Sequence, residues 1–149
     1  MSVTTFFWFD SQAEQAADTY VGLIPGSRVI DVTRNPDGSA FIVTLELDGH
    51  PVTFMNGGPG HPQTDAASLQ IVVDTQEEVD RLWDALTDGG APGPGGWLVD
   101  RYGMHWQVVP AALPTLLSGP GAPAVATALR TMTKIDLKTL QDASAHGNR

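Results

Sequence analysis

No cysteine occurs among the 149 residues, which removes disulfides, thiolate metal sites and a cysteine nucleophile together. Basic residues are scarce: eight Lys and Arg stand against 17 Asp and Glu, a formal charge of −9. Nucleic-acid backbones and anionic membranes reward clustered Lys and Arg, so neither is expected as a partner. The negative balance names no positive partner, because it commonly serves solubility. Long apolar runs are missing too. The aromatic run Phe6-Phe-Trp-Phe9 has no basic flank and stops at Asp10. Neither a signal peptide nor a membrane span is expected, and cytoplasmic residence follows as the default. No Gly-x-Ser-x-Gly or zinc-protease motif is present, and Asn56-Gly-Gly-Pro-Gly60 precedes neither a Lys nor a helix start, so it reads as a linker and not as a phosphate cradle.

What is present suits one globular domain with a respectable core, at 42% hydrophobic residues. Its organising feature is a repeat. Asp10-Ser-Gln-Ala-Glu14 and Asp74-Thr-Gln-Glu-Glu78 each follow an apolar run and precede a helical pattern. Both have capping-box spacing, Ser11 to Glu14 and Thr75 to Glu78. In the first copy the pattern predicts a strand over 3–9, then a helix through Ala13, Ala16, Ala17, Tyr20 and Ile24, ended by Pro25-Gly26. Strands over 28–33, 40–47 and 51–55 follow, the last two joined by Asp48-Gly49, a tight-hairpin signal. The second copy opens with a strand over 68–73. Val79, Leu82, Trp83 and Leu86 then make a one-faced helix. Two prolines in 91–96 leave at most a short edge strand. A hairpin over 97–99 and 104–109 turns across Asp100-Arg-Tyr-Gly103. The expected class is therefore α+β: two βαβββ units, about 3–57 and 67–110, in a domain over 1–112. A helical tail over 113–149 packs on the domain or on a dimer partner. It holds a turn of helix at Leu113, Leu116 and Leu117, helices near 122–132 and 136–145, and a frayed end from His146 to Arg149.

Trp8-Phe-Asp10, Phe54-Met-Asn-Gly-Gly-Pro59, Glu77-Glu-Val-Asp-Arg-Leu-Trp83, Gly96-Trp-Leu-Val-Asp-Arg-Tyr-Gly103, Trp106-Gln-Val-Val-Pro110 and Met132-Thr-Lys-Ile-Asp-Leu137 occur in that order. Together they resemble the PhnB-like branch of the vicinal oxygen chelate (glyoxalase and bleomycin-resistance) superfamily, over nearly the whole chain. The resemblance implies paired units curving into half-barrels around a cavity, and a homodimer. Members of the branch have carried the label 3-demethylubiquinone methyltransferase. No strand-following Gly-x-Gly-x-Gly loop supports a methyl-donor nucleotide here, so that label is not adopted. Metal-dependent members of the superfamily place one His or Glu on each of four strands. The matching positions here are Val3, Thr53 or Phe54, Ser68 and Gln107, none of which is His, Asp or Glu. No metal and no cofactor are therefore expected.

Alternation puts Ser68 and Gln70 on one strand face, and His105 and Gln107 together on another, with Trp106 turned toward the helices. These groups are expected to line the cavity and hydrogen-bond a small polar ligand, or to satisfy buried backbone and water. Phe7, Phe9, Phe54 and Trp97 offer an apolar ligand wall or ordinary core, and Asn56 looks toward the cavity from the linker. His105 and Glu46 are the candidate acid or base groups. His50, His61 and His146 are expected in solvent. Two function classes stay open. One is a metal-independent small-molecule binder with Phe7, Phe54, Asn56, Ser68, Gln70, His105 and Gln107 at its site. The other is an enzyme of unassigned reaction acting through His105 or Glu46. A structural dimer with a self-filled cavity is a third, weaker reading.

Overall fold

In a computed structural model that describes residues 1–147, the chain divides into two compact units, Met1–Gln63 and Thr64 onward. The first runs β1 (Thr5–Phe9), α1 (Ala13–Leu23), β2 (Arg28–Arg34), β3 (Ala40–Leu47) and β4 (His50–Asn56). The second repeats that order with β5 (Leu69–Val73), α2 (Gln76–Thr87), β6 (Ala91–Pro92), β7 (Trp97–Val99) and β8 (His105–Pro110). Each unit holds one four-stranded sheet, ordered β1-β4-β3-β2 and β5-β8-β7-β6. In both, the first strand lies parallel to the last and the remaining pairs are antiparallel. Neither sheet closes into a barrel. The expected α+β repeat is the observed architecture.

Local chemistry accounts for these elements. Asp48 and Gly49 take φ of 47° and 81°, the primed-turn geometry that matches strand twist and so joins β3 to β4. In α1 the buried residues Ala13, Ala16 and Ala17 are small, letting the helix approach its sheet closely, and Tyr20 packs edge-on to Phe54 at 5.9 Å. In α2, Val79, Leu82, Trp83 and Leu86 form the buried stripe. Thr75 caps this helix, its hydroxyl accepting from the Glu78 amide at 3.2 Å, while the Glu78 carboxylate turns to Arg81 at 3.0 Å instead of reaching back. Ser11 and Glu14 form no capping box. The α1 start is capped from 43 positions away: the Ala13 amide donates to Asn56 Oδ1 at 2.8 Å, and Glu14 pairs with Arg34 at 2.6 Å.

Strand β6 has two residues, with Pro92 removing one ladder donor, and a single 3-10 turn, Pro94–Gly96, follows it. Asp100 is the one buried polar residue among those described. Its Oδ1 accepts from the Tyr102 and Met104 amides at 2.9 and 3.0 Å, and its Oδ2 from Trp106 Nε1 at 2.9 Å. This aspartate therefore fixes the β7–β8 turn and anchors the buried Trp106.

The tail forms α3 (Leu113–Ser118), α4 (Ala122–Arg130) and α5 (Leu137–Gly147). Helix thus continues through His146 and Gly147, whereas Asn148 and Arg149, also expected to fray, lie outside the described residues. Val125, Ile135 and Leu140 bury against Val109 of β8. The link between α4 and α5 docks on the rest of its own unit. Gln76 donates to the Ile135 carbonyl and accepts from the Leu137 amide, at 2.9 and 2.8 Å, and Lys134 meets Asp80 at 3.0 Å. The carbonyls of Met132 and Thr133 receive the amides of Gly95 and Gly96 at 2.8 and 2.7 Å. Gly96 is held at a φ of 91° where a Cβ would fall 2.8 Å from Ile135, so the tail fits against a bare backbone.

Candidate functional site

Each sheet buries one face under its helix and leaves the other open. Strand register assigns the side chains, because directly paired residues share a face. On the second sheet Gln70 pairs with Gln107, and Gln107 with Trp97, giving one rung. The next rung holds His105, Val99 and Ala91. Leu98, Trp106 and Val108 point the other way and are buried. The four polar residues expected on one face of this unit are therefore together. Gln107 donates to Ser68 Oγ at 2.8 Å, and Gln70 donates to Gln107 Oε1 at 3.2 Å. A pocket of about 330 Å³ opens beside this row at the β6–β7 edge. Asp65, Pro92, Pro94, Trp97, Val99 and His105 line it. No Lys or Arg is among its lining residues.

Strand pairing on the first sheet corrects two sequence assignments. Phe7 pairs with Phe54 on the helix-covered face. Phe7 is 7% exposed and Phe54 fully buried, its ring flanked by Phe9 at 4.8 Å and Phe7 at 5.8 Å. Both are core packing with no free face for a ligand. The open face carries their neighbours: Phe6, Thr53 and Thr44 in one rung, Trp8, Met55 and Ile42 in the next. Asn56 is also committed to structure, since its Nδ2 donates to the Ala40 carbonyl at 3.1 Å while its Oδ1 caps α1. Glu46 does lie on the open face, beside Arg28 at 3.3 Å. His61 is exposed, as expected, and its ring also lies against Trp8, with centres 4.1 Å apart and planes tilted by 36°. Trp8 Nε1 donates to the Gly58 carbonyl at 2.8 Å, and the Gln63 amide donates to the Trp8 carbonyl at 3.1 Å. The linker over 57–63 thus lies against Trp8. A Cβ on Gly57 would sit 2.4 Å from the indole, so only glycine permits the approach.

Two groups escaped the sequence reading. Asp65 sits in an irregular loop whose composition carries no signal, and only the fold brings it to the pocket of His105. Asp100 read as a turn residue; the signal available was its spacing to Trp106, two strand positions past the turn.

The superfamily's metal positions were tested on their donors. Thr53 and Gln107 sit on open faces, Ser68 precedes β5, and Val3 is 88% exposed before β1. An alkyl group offers no donor, and a hydroxyl and an amide oxygen without an imidazole or carboxylate beside them do not make the His and Glu set that the superfamily's metal sites use. Among the described residues, no three of His, Cys, Asp or Glu gather in a way that could hold one. Nor do the strand-to-helix turns fit a nucleotide methyl donor. They read Asp10-Ser-Gln12 and Asp74-Thr75, without the glycine-rich strand-to-helix loop on which such a cofactor lies in the common methyltransferase fold. Among the described residues no helix is long and apolar enough to cross a membrane.

Residues 1–109 match the family described as 3-demethylubiquinone-9 3-methyltransferase. Among solved structures, the chain is similar to a putative 3-demethylubiquinone-9 3-methyltransferase, a PhnB protein, of Bacillus cereus. The two are 28% identical, the match covers 74% of this chain and 100% of that one, and the TM-score is 0.69. A protein of Pseudomonas aeruginosa is 17% identical with a TM-score of 0.62, covering 74% and 97%. The fosfomycin resistance protein FosX of Listeria monocytogenes is 14% identical with a TM-score of 0.58, covering 80% and 98%, a likeness of fold alone. No curated protein matches.

Proposed function

This chain belongs to the family described as 3-demethylubiquinone-9 3-methyltransferase, the PhnB-like branch of the vicinal oxygen chelate superfamily, and on that premise we propose that it is a metal-independent small-molecule-binding protein. The observation that carries the reading is the pocket on the open face of the second sheet. Its volume of about 330 Å³ is at the small end of ligand sites, and it has the usual make-up of apolar walls with a few polar groups. Trp97, Val99 and two prolines supply the walls, His105 and Asp65 the polar lining, and the Ser68–Gln107–Gln70 row adjoins it on the same sheet face. An amide carries two donors and two lone pairs, so the row keeps capacity for a ligand after its internal bonds. The same reading takes the protein to be a homodimer, by resemblance, and cytoplasmic. The charge of −9 supports excluding nucleic acid and membrane as partners.

A native mass spectrum of freshly purified protein tests this. The expected result is a dimer carrying a stoichiometric organic adduct, reduced in Gln107→Ala. One divalent ion per subunit would overturn the metal-independent reading. A second reading, acid–base catalysis, is favoured by one observation: the pocket brings a carboxylate, Asp65, to the same cavity as His105. On that reading His105→Ala abolishes turnover and leaves ligand affinity within a few-fold. On the binding reading, the same substitution weakens affinity.

A further inference from the structure

The charge of the pocket defines the class of ligand it takes. Two of its lining residues are ionisable, Asp65 and His105, and no Lys or Arg lines it to balance the Asp65 carboxylate. The lining includes one indole, Trp97, the side chain with the strongest attraction for a cation over its face. The remaining walls, Pro92, Pro94 and Val99 among them, are apolar. A carboxylate and an indole, with His105 the other polar group among apolar walls, favour a ligand with a positively charged nitrogen on an apolar body. An anion would meet the Asp65 charge with no Lys or Arg in the lining to offset it, inside a chain that is strongly negative overall. From this we infer that the site is selective for small organic cations, amines carrying an aromatic or branched apolar group. This rests on the binding reading above, and narrows it.

The carboxylate belongs to a loop with its own internal order. The Ala66 amide donates to Thr64 Oγ1 at 3.3 Å, and the Ala67 amide to the Thr64 carbonyl at 3.4 Å. No side-chain hydrogen bond in that turn uses the Asp65 carboxylate, so Asp65→Asn keeps its frame while removing the charge. The Pro94 part of the lining is fixed by the tail, whose Met132 and Thr133 carbonyls hold Gly95 and Gly96 immediately after it.

The test uses three probes of one size on the full chain: benzylamine, which is protonated at neutral pH, benzyl alcohol and benzoate. Isothermal titration is run on the parent, on Asp65→Asn and on Trp97→Leu. Benzylamine is expected to bind about tenfold or more tightly than benzoate. Asp65→Asn should reduce that preference to about twofold while leaving benzyl alcohol unchanged, and Trp97→Leu should weaken all three, benzylamine most. Equal binding of the three probes, or a preference for benzoate, overturns the cation inference and leaves the small-molecule reading standing. A benzylamine preference that survives Asp65→Asn also overturns it, by placing the cation elsewhere. If no probe binds the parent, both the inference and the binding reading fall at this pocket.

Discussion

The two sheets share one strand order and one pairing pattern, yet their open faces have been put to different use. By the repeat, Phe6 stands where Gln70 stands, Thr53 where Gln107 stands and Trp8 where Val72 stands. In the first unit the face is aromatic and its own linker lies against it, with Trp8 bonded to Gly58 and set against His61. In the second it is polar, hydrogen-bonded along Ser68, Gln107 and Gln70, and a pocket opens beside it. A duplicated backbone supplies two equivalent platforms. Residue choice at alternate strand positions then decides which becomes packing and which stays available.

The comparison breaks most readily at the buried face of the first unit. Phe54→Ala empties a site packed by three aromatic rings and should cost about 3–5 kcal/mol in chemical denaturation. Ligand affinity of the protein that remains folded should be unchanged. Lost affinity at full occupancy of the fold would return Phe54 to the site. Asp100→Ala strips the acceptors from Trp106 and two amides. A loss of about 2–4 kcal/mol is expected, since buried donors are left unmet. Asn56→Ala removes the α1 cap and the bond to Ala40, for about 1–2 kcal/mol. A loss near zero would show that water replaces the amide and frees it for another role.

The smallest expected effect concerns pH. The Asp80 carboxyl lies below its ordinary value of 3.8, chiefly through the Gln76 amide and then through Lys134. A folded value below the unfolded one means that the stability is present at neutral pH and lost as pH falls through the folded value. Because the Asp80 side chain is 45% exposed, solvent screening keeps the contribution under about 1 kcal/mol. Asp80→Asn should lower stability slightly at pH 7 and flatten its decline below pH 4. An unchanged acid profile would mean that the Lys134–Asp80 pair adds nothing to the docking of the tail.

Much of the fold was legible because its signals are local. Asp48-Gly49 named its turn, Thr75 its cap, and the repeated Asp-x-Gln segment announced the duplication. What the sequence concealed is non-local. The Ser11 and Glu14 spacing imitates a capping box, but the N-cap falls one residue later at Gln12, and the Ala13 amide is met by Asn56, arriving from β4. In Phe6-Phe-Trp-Phe9 both faces of the strand are aromatic, so alternation alone could not decide which pair enters the core. The choice fell to Phe7 and Phe9, so that of the four aromatics read as ligand wall or core, Phe7, Phe9 and Phe54 are core and Trp97 lines the pocket. In the second unit Gln70 alternates with Leu69 and Ile71, a clean polar–apolar contrast, and there the face was read correctly. Asp65 was invisible because loop residues acquire neighbours only when the chain folds.

The central claim, that the second open face and not the first receives a ligand, is tested most directly by amide and indole NMR shifts during titration with benzylamine. The account predicts perturbations at Asp65, over 91–99 and over 105–107, with the Trp97 indole among the largest and Trp8 unmoved. Shifts centred on Phe6, Trp8 and Thr53, or no saturable shifts at all, would contradict it.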